Sequence, residues 1–245
     1  MTSRPDWSAW RPASCLPRCF HEADRGGLVR QPANAASSLA FALLGVLLLR
    51  HVRPAPAAVA GSSRPRLRDL PGWAALFAVS LVVIGVGSAL FHASLTFVGQ
   101  TADVAGMYLL ATFTIVFARL HAPRGAVRRA VMLYVALNAG LLVGLLVVPA
   151  ARRWLFALLL AVGFALEWSR TRSAREHTGN LARSVAVLGA AFGVWVLDVF
   201  AWPLPAQHWL QGHAIWHLLG AVAAWGLWRH YDAPARAAPQ RGATA

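Results

Sequence analysis

The stretch "HAIWH" at residues 213–217 sets two histidines four positions apart, and in a helix that spacing turns both imidazoles to one face. Much earlier, "GSALFHASL" repeats the interval with Ser88 and His92, and "GQTADVAGM" follows at once with Asp103. Ionisable groups within apolar segments are costly and by default functional. Apart from basic residues near segment ends, those here are His92, Asp103, Glu167, Asp198, His213 and His217. Three imidazoles that meet fix three corners of a tetrahedron and leave the fourth open, a common catalytic zinc arrangement. A nearby carboxylate such as Asp103 can orient a ligand or take a proton from water, and a hydroxyl such as Ser88 can donate to the oxyanion of an attacked carbonyl. Each histidine alone reads as a packing or interfacial residue; the metal reading rests on all three converging.

Convergence is a question of which elements carry these residues. The 245-residue chain is 58% hydrophobic with mean hydropathy +0.52, and only 13% of its residues are charged, against about a quarter in soluble domains. That composition describes a polytopic membrane protein. Runs of about 20 apolar residues fall at 36–52, 72–92, 100–119, 126–148, 152–169, 183–202 and 211–230, so the expected fold is an all-α bundle of seven transmembrane helices. Residues 1–35 then form an extracytoplasmic segment and 231–245 a disordered cytoplasmic tail. The net charge of +14 does not imply nucleic acid, because the basic residues punctuate apolar runs instead of clustering on one polar face.

All 23 basic residues are arginine, a bias that suggests a GC-rich bacterial genome and an inner-membrane location. Seven arginines fall on the side of the N-terminus and sixteen on the opposite side. Cytoplasmic loops hold the excess of positive charge, so the N-terminus is expected outside and the C-terminus in the cytoplasm. His92, Asp103, His213 and His217 then share one level near the outer face. No secretory signal is visible in the first 20 residues. Cys15 and Cys19 precede the first apolar run; a disulfide in an oxidising compartment and a metal site with His21 are both compatible with that spacing. Glu167 has Arg170 one turn on as its default partner.

The set S-x3-H, D and H-x3-H, distributed over the second, third and seventh segments, resembles the alkaline ceramidase family. That family belongs to a superfamily of seven-helix membrane hydrolases that also includes adiponectin- and progestin-type receptors and Per1-like proteins. The resemblance runs from "RQPANAASSLAF" to "HAIWHLLGA", and "VGSALFHASLTFVGQTADVAGM" is especially similar to the ceramidase branch, which also shares the N-outside orientation. It implies His92, His213 and His217 as zinc ligands, Asp103 as the residue that holds or deprotonates the water, and Ser88 as the oxyanion donor.

The implied substrate is ceramide, cleaved to a sphingoid base and a fatty acid; another acyl lipid, such as an ornithine lipid or phospholipid, and a receptor or structural protein with structural zinc are the alternatives. The family also carries a calcium segment of the form D-W-C-E-x-N followed by E-x2-N. In this chain "CFHEAD" and "RQPAN" keep Glu22 and Asn34 at those positions, replace others by Asp24 and Gln31, and put Cys19 where an aspartate leads. Calcium (Ca2+) is thus implied beside zinc (Zn2+), though with fewer anionic oxygens than a hard cation prefers. Asp198 matches a W-x2-D of the sixth helix and would contact the headgroup or brace the bundle.

Overall fold

A computed structural model of the chain describes residues 7–16, 19–52, 66–119, 124–173, 178–200 and 202–233. Within them it is all-α: helices α1 (Pro32–His51), α2 (Pro71–Ser94), α3 (Phe97–Ala118), α4 (Arg124–Val147), α5 (Arg152–Ser173), α6 (Gly179–Phe200) and α7 (Gly212–Asp232). No strand occurs among the described residues; a single bridge pairs Pro12 with Thr96. The helices match the seven apolar runs but overrun several of them. Helix α1 starts at Pro32, where proline's missing N–H costs nothing, and α5 continues through a polar last turn to Ser173. Hydropathy registers only what lipid would tolerate, whereas backbone hydrogen bonding carries the helix past that limit.

Six of the helices are long and apolar enough to cross a membrane, and α7 is not among them. Three of the polar residues that lower its hydropathy, His213, His217 and His230, are turned inward and buried, whereas Arg229 is exposed. The helix also extends past residue 230, and Tyr231 is fully enclosed. The tail from residue 234 onward lies outside the described residues.

Packing runs α1 on α2, α2 on α3, α3 on α5, and α7 on both α1 and α6, while α4 leans on α3. Helices α2 and α3 are the most enclosed of the apolar six, and α4, α5 and α6 turn most of their surface outward. Lipid tails are as apolar as leucine, so helix association in a bilayer depends on close van der Waals fit and internal polar contacts rather than on hydrophobic expulsion. The fit is supplied at one end by an aromatic core. Phe113 stacks on Phe117 with ring centroids 5.2 Å apart, Phe77 meets Phe113 edge-on at 5.3 Å, and Trp73, Trp228 and Tyr231 close around them. At that same end Glu167 of α5, fully buried, accepts from Arg170 at 2.6 Å and pairs with His230 of α7 at 2.7 Å. The other end of the bundle is polar, and it is closed by the segment before α1.

Candidate metal centre

His92 and Asp103 are set at one depth by the turn between α2 and α3. The turn is only Leu95 and Thr96: Leu95 takes a left-handed conformation with φ 51°, which costs a non-glycine residue about 1–2 kcal/mol, and packing against Ala13, Cys19 and Phe91 holds it there. Thr96 caps α3 by accepting from the Gly99 amide at 3.2 Å. Below the turn the two backbones nearly touch at Gly87, where a Cβ would fall 2.7 Å from the carbonyl carbon of Ala102. Across the bundle, the first turn of α7 is tied to α6 by the His213 amide, which donates to Asp198 Oδ1 at 2.9 Å.

These constraints bring three imidazoles together. Ring centroids are 5.1 Å apart for His92 and His213, 5.2 Å for His92 and His217, and 4.5 Å for His213 and His217. One nitrogen from each lies within 4.8 Å of the other two, and all three residues are buried. His92 Nε2 and His213 Nδ1 are buried without a hydrogen-bond partner among the described residues. Enclosed polar atoms normally find partners, so neutral imidazoles with open lone pairs in one place fit a borderline-soft divalent ion such as zinc.

The remaining nitrogens are held from outside the trio. His92 Nδ1 lies 2.8 Å from Gln31 Oε1, and the Gln31 amide donates in turn to the Glu22 carbonyl at 2.7 Å. Because that amide oxygen can only accept, Nδ1 carries the proton and Nε2 is left as the donor to a metal. His217 Nδ1 lies 2.8 Å from Ser37 Oγ, whose own proton is committed to the Asn34 carbonyl at 3.1 Å, so Nδ1 again donates. His217 Nε2 then faces Ser88 Oγ at 3.3 Å, and Ser88 shares the wall of one cavity with Asp103.

A cavity of about 460 Å³ opens from this cluster, within the range of about 300–1,000 Å³ usual for small-molecule sites. Ser88, Asp103, His213 and His217 line its head, and α3, α5, α6 and α7 supply a wall that is almost wholly apolar. On α5 the lining runs from Arg152 to Phe164, a depth of about 18 Å at 1.5 Å per residue. Phe20 covers the cluster from the N-terminal segment, its ring centroid 3.9 Å from that of His213 and 4.7 Å from that of His92.

The structure thus gathers Ser88, His92, Asp103, His213 and His217. It does not gather a calcium site from Glu22, Asp24, Gln31 and Asn34, because the side-chain oxygens of the first three are already hydrogen-bonded. Both Glu22 oxygens accept from the first amides of α1, Ala33 N at 2.9 Å and Asn34 N at 2.8 Å, the favourable place for an anion at a helix N-terminus. Burial nonetheless pushes the Glu22 carboxyl above its ordinary value. Asp24 is paired with Arg30, whose guanidinium holds its carboxyl below the usual range. Gln31 is spent on His92, and of the four only the Asn34 side-chain amide has no partner among the described residues. Such a set does not fit a hard cation that takes six to eight oxygens.

Asp198 spans two backbones, accepting from the His213 amide and, at 3.2 Å, from the His21 amide. Cys15 and Cys19 are joined by a disulfide, and His21 Nε2 donates to the Leu204 carbonyl at 2.8 Å; these three residues form no metal site. Sequence reasoning missed Ser37 and Phe20 and gave Gln31 a different task. The available signal was "RQPANAASSLAF", whose polar residues recur inside an apolar start, but nothing in it says which histidine each would meet.

A family model described as Ceramidase matches residues 29–232 of this chain. No individually curated protein matches it.

Proposed function

The chain belongs to the ceramidase family, and from that premise we propose that it is a zinc-dependent intramembrane amidase that hydrolyses ceramide to a sphingoid base and a free fatty acid. The observation that carries the reading is the buried trio of His92, His213 and His217 at the head of an apolar cavity. When bound, zinc supplies Lewis acidity toward the amide carbonyl and lowers the pKa of water. The chain's own groups do the rest. Gln31 and Ser37 fix the tautomers of His92 and His217, so that their Nε2 lone pairs face the site. Asp103 stands beside Ser88 to receive a proton from water and return it to the leaving amine, and the Ser88 hydroxyl donates to the carbonyl oxygen as it gains charge. The apolar walls take the acyl chain, and Phe20 keeps bulk water off the imidazoles.

In this reading all seven helices cross the bilayer, the N-terminus lies outside and the C-terminus in the cytoplasm, and the site sits toward the extracytoplasmic face. Lateral access suits a lipid, which never has to leave the membrane to reach it. The test is metal analysis of the purified protein together with product analysis on ceramide. The expected result is about one zinc per chain and release of sphingoid base by the wild type, with both lost in a folded His217→Ala variant. Substantial turnover by that variant would refute the assignment.

A further inference from the structure

Two cations stand at the head of the cavity, and the one carboxylate among its lining residues, Asp103, forms an ion pair with neither. Arg152 and Arg153, the first residues of α5, both line it, where nearly every other wall residue is apolar. Arg152 spends a single nitrogen, Nη1, on the Pro149 carbonyl at 2.8 Å and Ser14 Oγ at 3.1 Å. Arg153 makes one long contact, 3.5 Å to the Cys19 carbonyl, and lies 5.4 Å over the Trp195 ring, itself part of the cavity wall. Neither forms an ion pair among the described residues, whereas Arg30, Arg68 and Arg170 each pair with a carboxylate. Asp103 interacts with Arg152 electrostatically, which leaves Arg153 and the rest of the Arg152 fork open to an anion.

Their position along the cavity matters as much as their charge. The site at His213 and His217 lies at the start of α7, the arginines lie at the start of α5, and the apolar shaft runs from there past Phe164 and Leu227. An acyl chain in that shaft, with its amide at the histidines, directs whatever the amide nitrogen carries toward the two guanidiniums. A neutral diol head offers no charge to the two guanidiniums, of which Arg152 is half-buried and Arg153 exposed. A carboxylate matches them, and arginine's planar fork is suited to it.

Resting on the amidase reading above, we propose that Arg152 and Arg153 select a lipid whose acyl amide bears an anionic oxygen group close to its nitrogen, an N-acyl amino acid type of lipid. Such a substrate gives a fatty acid and an amino acid with one water consumed, the same bond cleaved as in ceramide.

The test compares N-palmitoylglycine with N-palmitoylethanolamine, which share the chain and the amide and differ in carboxylate against hydroxyl. Equilibrium binding is measured on the full-length, hydrolysis-dead His217→Ala protein in neutral maltoside micelles, where no lipid phosphate competes. The glycine amide should bind at least tenfold more tightly, the ratio should fall to about one in an added Arg152→Gln/Arg153→Gln pair, and the lysine pair should recover part of it. Equal affinity for the two amides in folded protein overturns the proposal. So does an arginine effect confined to thermal stability in phosphatidylglycerol nanodiscs, which would assign the guanidiniums to bulk lipid phosphate. Turnover of both amides by the wild type is scored separately: no hydrolysis with the binding preference intact would defeat the amidase reading and leave the selectivity standing.

Discussion

Gln31 offers the sharpest perturbation, because one buried amide joins the N-terminal segment to a metal-facing histidine. Replacing it with leucine keeps the volume roughly constant and removes two bonds at once, the 2.8 Å contact to His92 Nδ1 and the 2.7 Å contact to the Glu22 carbonyl. Loss of an orienting partner of this kind costs roughly 10–100-fold in metal affinity, which is about 1.4–2.8 kcal/mol at 1.4 kcal/mol per decade. The metal-free protein should also suffer, since an enclosed N–H and an enclosed carbonyl lose their partner at about 1–3 kcal/mol each. Gln31→Glu separates the two effects: it keeps an acceptor for His92 and loses the donor to Glu22, so zinc affinity should stay within tenfold while apo stability drops. The assay is zinc competition against a chromophoric chelator, paired with thermal unfolding of stripped and loaded protein in detergent. A folded Gln31→Leu protein that binds zinc as tightly as the wild type would refute the view that this contact sets the ring.

Other outcomes follow from the same geometry. Gly87→Val drives a side chain into the backbone of α3, so it should cost at least about 1–3 kcal/mol and lower zinc occupancy along with unfolding temperature; a variant as stable as the wild type would contradict the close α2–α3 approach. Asp24→Asn should destabilise by less than about 1 kcal/mol at neutral pH, since its pair with Arg30 is partly exposed. The carboxyl's value is depressed in the folded state, so the stabilisation is present above the ordinary value of about 3.9 and fades as pH falls through the lower folded value. Unfolding temperatures of the two proteins should therefore converge in acid. Calcium chelation should leave both activity and unfolding temperature unchanged, because the donors at Glu22, Asp24 and Gln31 already have partners; a calcium-dependent rise in unfolding temperature would show that those bonds give way to the ion.

The sequence by itself determined the helical class of the molecule and pointed to the residues of its candidate site. A bilayer demands apolar runs of a fixed length, so seven helices could be placed within a few residues, and it penalises ionisable groups heavily enough that His92, Asp103, His213 and His217 stood out as a set. Helical spacing then put His213 with His217 and Ser88 with His92 on shared faces. What spacing could not decide was the environment of each group. Whether Glu22 and Gln31 face an ion or an amide depends on where the N-terminal segment lies against the start of α1 and the end of α2, and that is settled by contacts between residues far apart in the chain. Ser37 reaches His217 across 180 positions, and Arg152 and Arg153 meet the cavity because α5 packs beside α3. In a linear reading those arginines are loop charges that orient the protein in the membrane; only the tertiary arrangement sets them in the cavity wall, since the contacts that place them there join distant parts of the chain.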